Sequence, residues 1–211
     1  IGRKTIPLID YHGDDERYVG VDVDPDLVDW CVHHISTINP RFAFMPISIH
    51  NSFYNPRGAL APERFVFPFL DDSFDAIVLW SVFTHLYPAT IEHYLREIKR
   101  MLRHGGRLGA SFFVLDERAR SEVRSGRSLY PVGHEMEGYS TSNPTMPEDL
   151  IAIDHDWLLG AFDRAGLSIE ELRFGSWSNH PIDPAYAGIN VQDLVIATVS
   201  PMEAPLAEAA P

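Results

Sequence analysis

"FPFLDDSFDAIVLWSVFTHL", residues 67–86, begins with aromatic residues around a proline, turns on two aspartates and enters an almost unbroken apolar run. Such a run, "DAIVLWSVF" at 75–83, predicts a strand buried on both faces, the situation of strands inside a parallel sheet. The acidic turn sets where it starts. Pro88, suited to a first helical position, marks the element that follows.

Forward from there, Ile91, Leu95, Ile98 and Leu102 recur at helical spacing, with Glu92 and Arg96 expected to pair on the outer face. "HGG" stops that helix, with Gly105 at the C-terminal glycine position, and "RLGASFFVL" (107–115) is the next strand. Residues 116–150 break the rhythm. They are charged at first, then rich in Gly, Tyr, Ser and Pro without a period. A helix from Asp154 to Ala165 closed by Gly166, a strand "LSIEELRF", a loop "GSWSNHP" (175–181) and a strand "DLVIATVS" complete the chain before its last residues.

Backward, residues 50–68 are a proline-bearing loop, and "FAFMPISI" (42–49) is a strand in which Pro46 fits an edge or a bulge. "RYVGVD" (17–22) is another strand. Asp24 can cap the helix after it and Pro25 can open it, while Val28, Cys31, Ile35 and Ile38 form its apolar stripe up to "NP".

Alternating strands and helices with short links predict an α/β fold: a doubly wound, Rossmann-like, mostly parallel sheet with helices on both faces. The last two strands have no helix between them and are expected to form an antiparallel hairpin at the sheet edge. Residues 1–200 are read as one domain, with 116–150 as an insertion and 201–211 as a disordered tail.

Composition narrows the function. The 211 residues carry 17 basic and 30 acidic side chains, a formal charge of -13, which repels nucleic-acid phosphates and anionic membrane surfaces. No apolar run approaches the roughly 20 residues that span a bilayer. The single cysteine, Cys31, excludes an internal disulfide and suits a reducing, cytoplasmic setting. Ten histidines occur without metal-binding spacing, so no metal is expected.

Asp22 ends its strand where open α/β sheets bind ligands, and it follows Gly2 by about 20 residues, the separation of a glycine turn from the acid that holds ribose hydroxyls. That device serves nicotinamide oxidoreductases as well, although those need a fuller glycine fingerprint. The stretch 67–86, followed by a helix and "IKRMLRHGGRLGASFF", resembles the class I S-adenosylmethionine-dependent methyltransferases, over roughly residues 1–115.

The resemblance implies S-adenosylmethionine as cofactor and methyl transfer to a small-molecule O- or N-nucleophile. "IGR" looks like the end of the family's glycine loop, whose earlier glycines and preceding strand would lie upstream, and Gly2 would let the backbone approach the methionine part. Asp22 would accept both ribose hydroxyls, with Val23 and Asp24 flanking. The family's adenine-binding acid is missing from "SIHNSFYNP", where Asn51 or Ser48 would replace it. Trp80 and Ser81 would line cofactor and acceptor. His85 would take a proton from the acceptor, and residues 116–150 with Tyr130, His134 and Tyr139, together with Trp177 and His180, would cover it. A nicotinamide oxidoreductase and a non-catalytic binding domain are the alternatives.

Overall fold

A computed structural model of the protein describes residues 2–11, 13, 15–182 and 191–199. They fall into two compact units, Ile1–Phe65 and Val66–Pro211. The tail expected at 201–211 lies outside the described residues.

The first unit opens with a short helix α1 (Gly2–Thr5) and a 3-10 turn at Ile6–Leu8. Strand β1 (Tyr18–Asp22) leads through a two-residue bend into α2 (Pro25–Cys31). Asp24 caps α2, its carboxylate accepting from the N–H groups of Asp26 (2.9 Å) and Leu27 (3.2 Å), and Pro25 sits at the first turn. Strand β2 (Phe42–Pro46) pairs with β1 in parallel, from Tyr18 opposite Phe42 to Asp22 opposite Pro46. Pro46 is thus the last residue of a strand with one partner, where a missing N–H costs least. Cys31, Ile35 and Phe42 form the core, with Ile9, Tyr18 and Phe44 packed on it. Ile38 leaves the expected stripe and is 79% exposed. After Cys31 the helix widens to a π-turn over Val32–Ser36, and its longer repeat rotates Ile38 away from the face that Val28 and Ile35 bury.

In the second unit, β3 (Phe74–Leu79), α3 (Pro88–Met101) and β4 (Leu102–Phe112) form the strand–helix–strand core, with β3 and β4 parallel. The α3 stripe is as expected: Ile91, Leu95, Ile98 and the following Leu102 are all buried. Glu92 instead pairs across to Arg164. Gly105 is left-handed (φ 74°) but sits past the helix end, where β4 bulges: Phe74 faces Leu102 and Ala76 faces Arg107.

The segment before β3 is strapped to α3 by Arg100. Its guanidinium donates to the carbonyls of Phe67 (3.1 Å) and Phe69 (2.8 Å), to Asp71 (2.8 Å) and to Glu97, which in turn accepts from the Phe67 N–H (2.9 Å). The aromatic–proline–aromatic run is therefore a fixed entrance to β3, with Phe67 against Tyr94 and Phe69 against Phe74.

Beyond β4 come β5 (Val114–Leu115), α4 (Glu117–Arg124), β6 (His134–Glu135), β7 (Tyr139–Thr141), β8 (Ile151–Asp154), α5 (His155–Ala165), β9 (Leu167–Arg173) and β10 (Asp193–Val199). Two four-stranded sheets result, ordered β3-β4-β10-β9 and β5-β8-β7-β6. The expected antiparallel hairpin forms, but β10 lies inside, between β4 and β9, and only β9 reaches the edge.

Gly166 closes α5 in the left-handed conformation (φ 73°). Segment 116–150 is more ordered than its composition suggests, because Asp116 caps α4 and a small antiparallel ribbon pairs with β8. Among the described residues β3 pairs with β4 alone, and Val78 is 68% exposed where burial on both faces was expected. Among the described residues no helix is long and apolar enough to cross a membrane, and no group of metal-binding side chains occurs.

Candidate functional site

In the first unit the candidate residues gather around the end of β1. Asp22 is half-buried; its Oδ1 accepts from the Asp24 N–H (3.1 Å), while its backbone carbonyl accepts from Ile47 (2.9 Å), extending the parallel ladder by one bond. Val23, half-buried, forms the bend, and Asp24 is committed to capping α2. Gly2 starts α1 and is buried; a Cβ there would come within 2.8 Å of the Trp30 ring and 3.2 Å of the Cys31 sulfur. Burial pushes the Cys31 thiol up, and the Asp22 carboxylate adds to this, while hydrogen bonding from the Gly2 backbone N–H opposes it.

Asn51 is buried with its amide oxygen already engaged. It accepts from the N–H groups of Phe53 (3.1 Å) and Tyr54 (2.8 Å), an Asx-type turn that closes the loop after β2. Ser48 Oγ accepts from the Ala59 N–H (3.2 Å) in the same loop.

In the second unit the candidates follow β3. Trp80 and Ser81 are half-buried. Ser81 is left-handed, with φ 55°, a conformation that carries a steric penalty for a residue with a Cβ. His85 ends a 3-10 turn (Phe83–His85) and its Nδ1 donates to the Glu148 carbonyl (3.0 Å). Burial holds the imidazole below its usual range, with backbone hydrogen bonding to Glu148 and Asp149 opposing, so the neutral ring is favoured near pH 7.

Tyr87 stands edge-on to Tyr139 at 5.9 Å. Burial raises both phenols, and at Tyr87 the Glu148 carboxylate adds to it. The segment around Glu148 thus meets His85 through its carbonyl, and Tyr87 stands against Tyr139. Glu148 and Tyr87 carry no signal in the sequence that marks them: neither lies in a motif, and they are 61 positions apart.

Two residues expected as a cover have other duties. Trp177 is fully buried against Phe113 and donates from Nε1 to Asp193 (2.8 Å), which also accepts from the N–H groups of Val114 (2.6 Å) and Gly175 (2.7 Å). Burial pushes the Asp193 carboxyl up to about 7 against the pull of those three donors. His180 bridges Ser178 (2.8 Å) and Asp116 (2.9 Å) and stacks on Phe174 at 3.9 Å, docking the loop on the start of α4. Tyr130 packs on Phe113, and His134 is exposed on β6.

Comparison with known proteins supplies the family. The chain matches the methyltransferase domain family over residues 2–110, a span that runs from α1 to within β4. Among solved structures it is similar to a chain of the complex between the Haloferax volcanii Trm112 methyltransferase activator and a methyltransferase, at 17% identity and TM-score 0.59, covering 96% of this chain and 79% of that one. An S-adenosylmethionine-dependent methyltransferase of Methanosarcina mazei follows at 16% identity and TM-score 0.54, covering 87% and 82%. The Burkholderia thailandensis 1,6-didemethyltoxoflavin-N1-methyltransferase, bound to 1,6-didemethyltoxoflavin and S-adenosylhomocysteine, matches at 16% identity and TM-score 0.54, covering 95% and 67%. These likenesses share the Rossmann-like fold, and the family match sets the nicotinamide alternative aside. The chain belongs to the methyltransferase domain family and is an S-adenosylmethionine-dependent methyltransferase.

Proposed function

We propose that the protein transfers the methyl group of S-adenosylmethionine to an oxygen or nitrogen of a small-molecule acceptor, with residues 1–200 acting as one domain. The observation that carries this reading lies after β3: His85, its Nδ1 fixed by the Glu148 carbonyl at 3.0 Å and its ring kept neutral by burial. Bound S-adenosylmethionine supplies an activated methyl on a sulfonium, so the protein's task is alignment and, for a hydroxyl acceptor, removal of one proton.

Asp22 accepts the ribose hydroxyls at the end of β1, Gly2, Val23 and Asn51 shape the surrounding backbone, and Trp80 and Ser81 border the methyl. His85 receives the acceptor proton as general base. The formal charge of -13 favours a small acceptor over nucleic acid, and the Burkholderia neighbour, named for methylation of a toxoflavin precursor, illustrates that this fold can hold such an acceptor.

The test is in two parts. Calorimetric titration with S-adenosylhomocysteine and with NAD should give binding to the first alone. Screening labelled S-adenosylmethionine against small hydroxyl and amine acceptors, RNA and protein should label a small molecule, and with that acceptor His85→Ala should lower turnover by roughly a hundredfold while leaving cofactor affinity nearly intact. Labelling of RNA or protein alone, or an unchanged rate in the variant, would sink the corresponding half of the proposal.

A further inference from the structure

The end of β3 holds a conformation that its own sequence does not favour. The β3–β4 ladder runs to Leu79 opposite Ala110, and two residues later Ser81 is in the left-handed region at φ 55°. A serine there costs free energy unless its surroundings impose the conformation, and such positions concentrate at functional sites.

Two side chains from distant parts of the unit impose it. The Ser81 N–H donates to Ser111 Oγ at 2.8 Å, and Ser81 Oγ donates to Gln192 Oε1 at 3.0 Å. Both partners are themselves fixed. Ser111 is fully buried on β4, where Leu194 of β10 lies opposite it. Gln192 immediately precedes Asp193, whose bonds to Val114, Gly175 and Trp177 tie the start of β10 in place. One side chain holds the backbone of Ser81 and the other its hydroxyl.

We propose that Ser111 and Gln192 are positioning residues for methyl transfer: they lock Ser81 in the left-handed conformation and thereby aim Trp80 and the turn that carries His85. This rests on Trp80 and Ser81 bordering the cofactor. Neither Ser111 nor Gln192 needs to touch cofactor or acceptor.

Glycine reaches the left-handed region without the steric penalty, so it should depend less on the clamp. The experiment is a cycle of S-adenosylhomocysteine affinities by calorimetry, with thermal melts run alongside. In the otherwise native protein, Ser111→Ala should weaken binding roughly five- to tenfold, and Gln192→Ala by a smaller factor in the same direction. In the Ser81→Gly background, Ser111→Ala should cost less than about twofold. A general loss of stability would give the same cost in both backgrounds, and that result overturns the proposal, as does unchanged affinity in folded Ser111→Ala. The underlying assignment is tested separately by Trp80→Ala: unchanged affinity there would remove the strand end from the cofactor site and the proposal with it.

Discussion

Strands β1 and β3 both run into turns that carry candidate site residues, and the two turns are built in opposite ways. After β1, Asp22 bonds the Asp24 N–H, Asp24 bonds the N–H groups of Asp26 and Leu27, and Pro25 opens the helix. Every one of these partners lies within five residues. After β3, Ser81 is held by Ser111 and Gln192, which lie 30 and 111 positions away. The first turn carries its instructions in a short window of sequence. The second exists only because β4 and β10 are in register. A local turn should lose function on substitution while the fold survives; for a turn assembled at long range, removing the anchor of the strands that hold it should cost stability.

The sharpest way to break this contrast is Asp193→Ala. It would strand three buried N–H donors, from Val114, Gly175 and Trp177, and should cost about 3–5 kcal/mol. That corresponds to a fall in Tm of roughly 10 °C, read by a thermal melt, and a change of only a degree or two would mean that the long-range turn has other supports.

Asp22→Ala should do the reverse. Losing two charge-assisted hydrogen bonds to the ribose weakens S-adenosylhomocysteine binding at least about tenfold, while the folded state forfeits the bond to the Asp24 N–H. Retained affinity in calorimetry would take Asp22 out of the site.

Next in size is Asp24→Ala, which removes the α2 cap and should cost about 1 kcal/mol, with cofactor affinity changed less than by Asp22→Ala. A larger effect on binding than on a urea melt would make Asp24 a cofactor ligand as well as a cap.

The smallest effect concerns pH. Hydrogen bonding from Arg100 holds the Glu97 carboxyl below the usual carboxylate range. The stability it contributes is present above the unfolded value, about 4.3, and is lost as pH falls through the lower folded value. Glu97→Gln should therefore flatten the decline of Tm on the acid side, and an unaltered slope would show that the strap before β3 does not depend on this charge.

Much of the fold was legible because its signals are local. Pro25 and Asp24, the 3.6-residue spacing of Ile91, Leu95 and Ile98, and Gly166 each act within a few residues of themselves. What the sequence hid is relational. The apolar run of β3 does not report which strands pair with it, and among the described residues Val78 is exposed where burial was expected. Glu92 has a partner on its own helix by spacing, but Arg164 of α5 takes it. Part of the order within 116–150 comes from pairing of β7 with β8, which no window inside the segment contains. At the site, Asp22 announces itself at a strand end, whereas Glu148 beside His85 and Ser111 beneath Ser81 become neighbours only after folding.

Trp177 has a spectroscopic consequence. It is fully buried, whereas Trp30 is 44% exposed and Trp80 and Trp157 are partly so. With its indole N–H on the Asp193 carboxylate and its ring edge-on to Phe113, it should emit at shorter wavelength than the others and resist a soluble quencher. A variant retaining Trp177 as its only tryptophan would then carry a built-in optical reporter of the β10 anchor, one that responds when the anchor opens whether or not the rest of the chain unfolds with it.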